Sequence, residues 1–141
     1  MPRTIQFKLL SATARSPFKK YSTDAGFDLY SDINMAINPG HTMKLDCGIA
    51  LNIPPGFYGF IVPRSSWRQK GLACMSVYDA GFQGRVEPFV TNMSNSILYI
   101  QQDERIVQLI IREVPDIELV EVELFVESER GELGAGSTGR F

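Results

Sequence analysis

The chain has 141 residues, 44% of them hydrophobic, which suffices for one domain with a core and is too little for two ordinary ones. A formal charge of -2 without any long basic stretch excludes broad attraction to nucleic acid, though a few local arginines could still hold a small anion. No apolar run reaches membrane-spanning length, Met1-Pro2-Arg3-Thr4 opens no secretory leader, and Cys47 and Cys74 form no CxxC pair, so a soluble cytoplasmic protein without membrane partner, zinc knuckle or disulfide framework is expected.

Short apolar or alternating segments follow one another along the chain. They run from Ile5 to Leu10, Gly26 to Tyr30, Met35 to Ile37, Met43 to Ile53, Phe57 to Val62, Val86 to Thr91, Ile97 to Ile100, Ile106 to Ile111 and Ile117 to Val126. Each predicts a strand. The plainest is Val120-Glu121-Val122-Glu123-Leu124, where strict alternation gives one apolar and one polar face. Turn formers separate the runs, as in Asn38-Pro39-Gly40, Pro54-Pro55-Gly56 and Asn92-Met93-Ser94-Asn95-Ser96. With helical periods nearly absent, these strands predict an all-β sandwich, jelly roll or small barrel and argue against a parallel sheet.

That β domain is expected to span residues 1-126, with 127-141 as a separate tail. In the tail the apolar residues thin out and Gly131, Gly134, Gly136 and Gly139 punctuate the sequence. Two readings stay open. One is a flexible, disordered terminus. The other is a segment that orders over an anion, because glycines let backbone N-H groups approach phosphate closely, while Arg130, Ser137 and Thr138 add charge and hydroxyl donors.

Four more segments carry chemistry. Asp28 lies within an apolar strand candidate, where an unpaired charge is costly. Pro63-Arg64-Ser65-Ser66, followed by Trp67-Arg68-Gln69-Lys70, offers hydroxyls and cations suited to an oxyanion, or simply a polar turn with an exposed ion pair. Asp79 opens a turn after a strand, and a structural turn aspartate accounts for it equally well. Arg105 and Gln108 stand three apart, which in a regular strand puts them on opposite faces, so each needs a partner from elsewhere. The single histidine, His41, makes a Ser-His-Asp or Cys-His unit a poor explanation of any catalysis.

In this order, Ala25-Gly26-Phe27-Asp28-Leu29, Pro63-Arg64-Ser65-Ser66, Asp79 to Gly84, Arg105-Ile106-Val107-Gln108-Leu109 and Arg130 to Gly139 resemble the five motifs of the trimeric dUTPases. The resemblance covers almost the whole chain. It implies a distorted jelly roll and the hydrolysis of dUTP to dUMP and pyrophosphate by water attack on the α-phosphorus, which limits uracil incorporation into DNA. It also implies a homotrimer whose sites are each shared among three chains. Asp79 would be the general base, Arg64 would orient the site and stabilise charge, and Asp28 would hold Mg2+ through water. Ser65, Ser66 and Gln108 would bind phosphate oxygens, Phe82 would pack beneath the deoxyribose, and Arg130, Gly136, Ser137 and Thr138 would close over the γ-phosphate.

Some positions depart from the family pattern. Phe82 replaces the usual tyrosine, Ala135 stands where the tail usually carries a base-stacking phenylalanine, and Asp103-Glu104 replace a glycine and an aspartate. Base-aromatic stacking contributes about 1–3 kcal/mol, and Phe141 or Trp67 are the candidates to restore it. These departures leave a dUTPase-derived binding or regulatory protein as the alternative. The related dCTP deaminases share the turn Asp79 to Gly84, but their catalytic glutamate would fall at Phe89, and Glu87 lies about 7 Å away along the strand.

Overall fold

The structure, a computed structural model, describes residues 3-134, 136 and 138-141. Alternation along the strands sets the architecture: in β6 (Phe57–Pro63), Gly59, Ile61 and Pro63 are buried and the residues between them are half-buried. The other strands in chain order are β1 (Gln6–Leu9), β2 (Phe27–Tyr30), β3 (Met35–Ile37), β4 (Thr42–Lys44), β5 (Ile49–Asn52), β7 (Leu72–Cys74), β8 (Ser76–Tyr78), β9 (Phe89–Asn92), β10 (Leu98–Ile100) and β11 (Arg105–Glu113). One short helix, α1 (Ser65–Gln69), follows β6. All pairings are antiparallel, in sheets ordered β2-β11-β6-β8, β4-β9-β7, β1-β5 and β10-β3. Leu29, Ile37, Ile49, Ile61, Val90, Ile106 and Val107 meet between these sheets in a single apolar core. The expected all-β jelly-roll sandwich is the fold observed.

Three sequence readings are corrected. The run Met43 to Ile53 breaks into β4 and β5, because Gly48 takes φ +67° and its N-H is bound by Asp46 Oδ1 at 2.8 Å. A Cβ at Gly48 would fall 2.7 Å from that of Ala14, so glycine is required there. The polar turn after Pro63 is helical, and it is anchored by Trp67, only 4% exposed in the core. Ile117 to Val126 is not a strand: the last strand ends at Glu113, and Leu119, Leu124, Phe125 and Val126 are each at least 88% exposed. Alternation specifies a strand only where a neighbour supplies backbone partners. This chain supplies none to that arm among the described residues.

The turn into β11 carries a local conflict. Asp103 adopts φ +69°, the left-handed region, at the third position of a turn closed by Glu104 N donating to Gln101 O at 3.1 Å. Glycine suits that position and other residues pay sterically. Asp103→Gly is therefore expected to raise unfolding free energy by up to about 1 kcal/mol, readable as a higher urea midpoint with an unchanged slope. An unchanged or lower midpoint would show that the 3.8 Å pair between Asp103 and Arg15 outweighs the backbone cost.

Candidate functional site

The site begins in the middle of the largest sheet. Asp28 of β2 sits opposite Gln108 of β11, which in turn sits opposite Val62 of β6. On its other side the Asp28 backbone bridges Phe18 through two hydrogen bonds, of 2.6 and 2.9 Å. Its carboxylate is only 20% exposed and meets two cations at one oxygen: Arg105 Nη1 donates to Oδ2 at 3.1 Å, and Arg64 Nε lies 3.2 Å from the same atom. Arg64 also donates through Nη1 to the Arg105 carbonyl at 3.1 Å, tying the end of β6 to the start of β11. Two guanidinium groups sharing one carboxylate leave an excess positive charge at a half-exposed surface. Partly exposed pairs add little stability, and what the cluster leaves is a local excess of positive charge that suits an anion.

A β-bulge makes the cluster possible. Arg105 pairs with Tyr30 and Val107 with Leu29, so one extra residue is inserted and the adjacent Ile106 and Val107 are both buried. The shift cancels the odd spacing. Arg105 and Gln108 therefore emerge on one face, together with Asp28 and Tyr30, and not on opposite faces as a regular strand requires. Gly26 completes the arrangement, since a Cβ there would lie 2.9 Å from Gln108 Oε1 and 3.0 Å from the Leu109 carbonyl. Arg105 is the member of this cluster to which the sequence alone assigns no role, and its lack of a local partner is the available signal.

Ser65 and Ser66 follow directly. Arg64 has extended backbone (φ -62°, ψ 151°), and its carbonyl accepts from the N-H groups of Trp67 and Arg68 at 3.0 and 2.9 Å, which turns the chain and leaves both serines exposed beside the arginine pair. With Trp67 in the core, that ring cannot stack on a ligand.

Asp79 and Phe82 belong to a second constellation. They are the ends of a tight turn in which Phe82 N donates to Asp79 O at 3.3 Å, Gly81 takes φ +86°, and Gly81 N anchors the turn to the Ile53 carbonyl at 3.1 Å. The Phe82 ring lies over Gly84, where a Cβ would fall 2.6 Å from Phe82 Cζ and push the ring aside. The Phe82 ring lies 5.9 Å from that of Tyr78 and is 49% exposed, presenting an apolar platform beside the exposed Asp79 carboxylate. Burial pushes the Tyr78 phenol up to about 12, so it remains neutral beneath that platform.

The two constellations stay apart within one chain. Asp28 lies on β2 and Asp79 just beyond β8, the opposite edges of the sheet, and the register places Asp79 next to the Tyr58 end of β6 and Asp28 level with Val62. Three strand spacings across and about four residues along give a separation of roughly 20 Å.

Among the described residues the tail reaches neither constellation. Arg130 donates to the carbonyls of Leu133 and Gly134 at 3.1 and 3.2 Å, and Gly139 N donates to Gly136 O at 3.0 Å, so its contacts are local. Gly136 and Thr138 are exposed; Ser137 and Ala135 lie outside the described residues. Among the described residues no group of three or more His, Cys, Asp or Glu could hold a metal ion. No helix is long and apolar enough to cross a membrane.

A sequence model of the dUTPase family matches residues 12–139. The deoxyuridine 5'-triphosphate nucleotidohydrolase of Corynebacterium diphtheriae is 35% identical over 143 residues, covering 98% of this chain and 94% of its own. Its namesake in Clostridium tetani is 31% identical over 141 residues, covering 97% of each. A Staphylococcus bacteriophage 80alpha dUTPase variant solved with dUpNHpp superposes with TM-score 0.93 at 30% identity, over 99% of this chain and 100% of that one. A phage phi11 dUTPase variant, described as revealing the coordination of a structural Mg(II) ion, gives TM-score 0.83 at 25% identity over 89% and 100%.

Proposed function

Because the chain belongs to the dUTPase family, we propose that it hydrolyses dUTP to dUMP and pyrophosphate by water attack on the α-phosphorus, in the cytoplasm, and so limits uracil incorporation into DNA. The observation that carries this reading is the division of the site: a cationic cluster at Asp28, Arg64 and Arg105, and an exposed carboxylate with an apolar ring roughly 20 Å away. Only a second copy can bring Asp79 to the cluster. A homotrimer does so three times with one interface. The exposed arm from Ile117 to Val126 supports assembly, as does an apolar groove of about 510 Å³ lined by Ile5, Phe7, Phe27, Phe57, Leu109 and Ile111.

In the assembled site, Asp79 of one chain takes a proton from water positioned in line with the α-phosphorus. Arg64, fixed by Asp28 and the Arg105 carbonyl, stabilises charge on the phosphate oxygens, and Gln108 with the Ser65 and Ser66 hydroxyls orients them. Phe82 closes the space beneath the sugar, so a 2′-hydroxyl has no room. Arg130, Gly136, Ser137 and Thr138 of a third chain cover the γ-phosphate, for which Arg130 exchanges its two carbonyl partners for a stronger, charged acceptor. The donor set fits Mg2+ carried by the triphosphate: one lone carboxylate, with both arginines on a single oxygen, suits a magnesium ion held through water by Asp28. Held there, such an ion would supply neutralisation of the triphosphate's negative charge.

A regulatory role is the second reading, favoured by the phage 80alpha dUTPase, described as controlling transfer of virulence genes, to which this chain is 30% identical with TM-score 0.92. Pyrophosphate release from purified protein with dUTP, dTTP, dCTP and UTP separates the two. Magnesium-dependent turnover of dUTP, with the other three far slower, is expected. Equal hydrolysis of all four contradicts the pocket, and silence with dUTP leaves the binding role.

A further inference from the structure

We infer that Asn52, held between Gln6 and Gln83, is a positioning residue for the Phe82 ring, so that discrimination between deoxyribo- and ribonucleoside triphosphates depends on a row of three amides that starts in the first strand. The inference rests on the dUTPase reading. It begins from register. Pairing of β1 with β5 places Gln6 opposite Asn52, and on the other side of β5 an antiparallel bridge joins Ala50 to Arg85, which brings Gln83 beside Asn52. The three side chains therefore line up across three neighbouring segments. Gln83 Nε2 donates to Asn52 Oδ1 at 3.2 Å, and Asn52 Nδ2 donates to Gln6 Oε1 at 3.1 Å. Both halves of the Asn52 amide are engaged, so it cannot turn alone without breaking both bonds. The next row, Lys8, Ala50 and Arg85, forms no such link, because Ala50 has no polar side-chain atom and Arg85 is engaged by Asp46 at 3.2 Å.

Gln83 is where this row meets the site. It stands between Phe82 and Gly84, over which the Phe82 ring lies, in a segment fixed before it by the Gly81 bond to the Ile53 carbonyl and after it by the bridge at Arg85. Between those points, among the described residues, Gln83 makes the one side-chain hydrogen bond. Phe82 itself is weakly held. Its ring is 49% exposed and meets Tyr78 at a tilted 5.9 Å, and its N-H reaches Asp79 O at 3.3 Å. A ring excludes a 2′-hydroxyl only if it cannot retreat, and this ring rests on the backbone that the Gln83 amide restrains. The far end of the row is firm: Gln6 belongs to β1, whose pairing with β5 is extended by Leu10 N donating to Gly48 O at 2.8 Å. Exposed amide bonds contribute little to global stability, so their loss registers in the geometry of the turn before it registers in melting.

The test measures kcat/KM for dUTP and for UTP by pyrophosphate release in the unaltered full chain, in Asn52→Leu, Asn52→Asp and Gln83→Leu, and in the double variant Asn52→Leu with Gln83→Leu. Asn52→Leu is expected to lower the dUTP-to-UTP ratio about tenfold, chiefly by admitting UTP, with a melting temperature close to that of the unaltered protein. Asn52→Asp should keep the ratio, because a carboxylate accepts from Gln83 as before and from Gln6 once that amide turns round. Gln83→Leu should match Asn52→Leu, and the double variant should be no worse than either, as befits two groups in one bond. An unchanged ratio in Asn52→Leu would overturn the inference, and so would an equal loss in Asn52→Asp or additive losses in the double variant. If Asn52→Leu does not fold, Gln83→Leu decides by the same ratio. Failure of the underlying reading shows in the unaltered chain, as absent dUTP turnover or equal turnover of dUTP and UTP, and it too overturns the inference.

Discussion

Asp79→Asn is expected to lower kcat for dUTP by about 10²–10⁴-fold while leaving dUpNHpp affinity and the melting temperature close to those of the unaltered protein. The size follows from what a positioned base supplies: asparagine keeps the shape and can accept a hydrogen bond from water, but it cannot take the proton. The selectivity follows from the turn. Asp79 enters the fold through its backbone carbonyl, which closes the turn to Phe82, and through the neighbouring Gly81 N-H, which binds Ile53. Its side chain is exposed, and no ion pair involving it forms within the chain among the described residues. Steady-state kinetics beside calorimetric titration of dUpNHpp check both halves. Full activity would remove Asp79 from the mechanism, and lost affinity with lost activity would make it a binding group.

Asp28 gives the contrast. Its carboxylate holds Arg64 and Arg105 together, so its removal disturbs the charge cluster as well as any metal contact. Such a variant cannot assign a role by activity alone. This is why Asp79, and not Asp28, is the informative position.

Strand segments were legible where a residue's own chain provides its partner. Phe57 to Val62 and Ile106 to Ile111 became β6 and β11, which pair along seven residues of each, and periodicity sufficed because both faces meet neighbours. Strands β7 and β8 were not legible: each has three residues, too few to display a period, and their pairing with β9 and β6, in two different sheets, is set by sequence-distant partners. The arm around Val120-Glu121-Val122 failed for the opposite reason, having a clear period and no partner in the chain. Of the site, residue types and order were legible, but the convergence of Arg105 with Gln108 was not. A bulge reverses side-chain parity without leaving a mark in composition. Trp67 shows the same limit, since an aromatic residue among Arg64, Arg68 and Lys70 reads as surface until the helix turns it inward.

Deleting Arg130 to Phe141 is expected to leave the proposed trimer intact and to reduce kcat/KM for dUTP by at least about 10²–10³-fold. The core does not use these residues: the last strand ends at Glu113, and every described contact of Arg130 is to the tail's own backbone. The arm from Ile117 to Val126, whose apolar side chains call for a neighbouring chain, is retained in full. What disappears is two guanidinium groups, those of Arg130 and Arg140, and the backbone N-H groups of a glycine-rich segment proposed to close over the nucleotide. Their loss should also expose the reacting phosphate to water, and electrostatic stabilisation weakens as the local dielectric rises. Light scattering of the truncated protein gives the oligomeric mass, and pyrophosphate release gives the activity. If truncation yields monomers, the tail is part of the subunit interface; if a full-sized oligomer retains full activity, then Arg64, Arg105 and Gln108 suffice for the triphosphate and the tail's proposed closure over it is wrong.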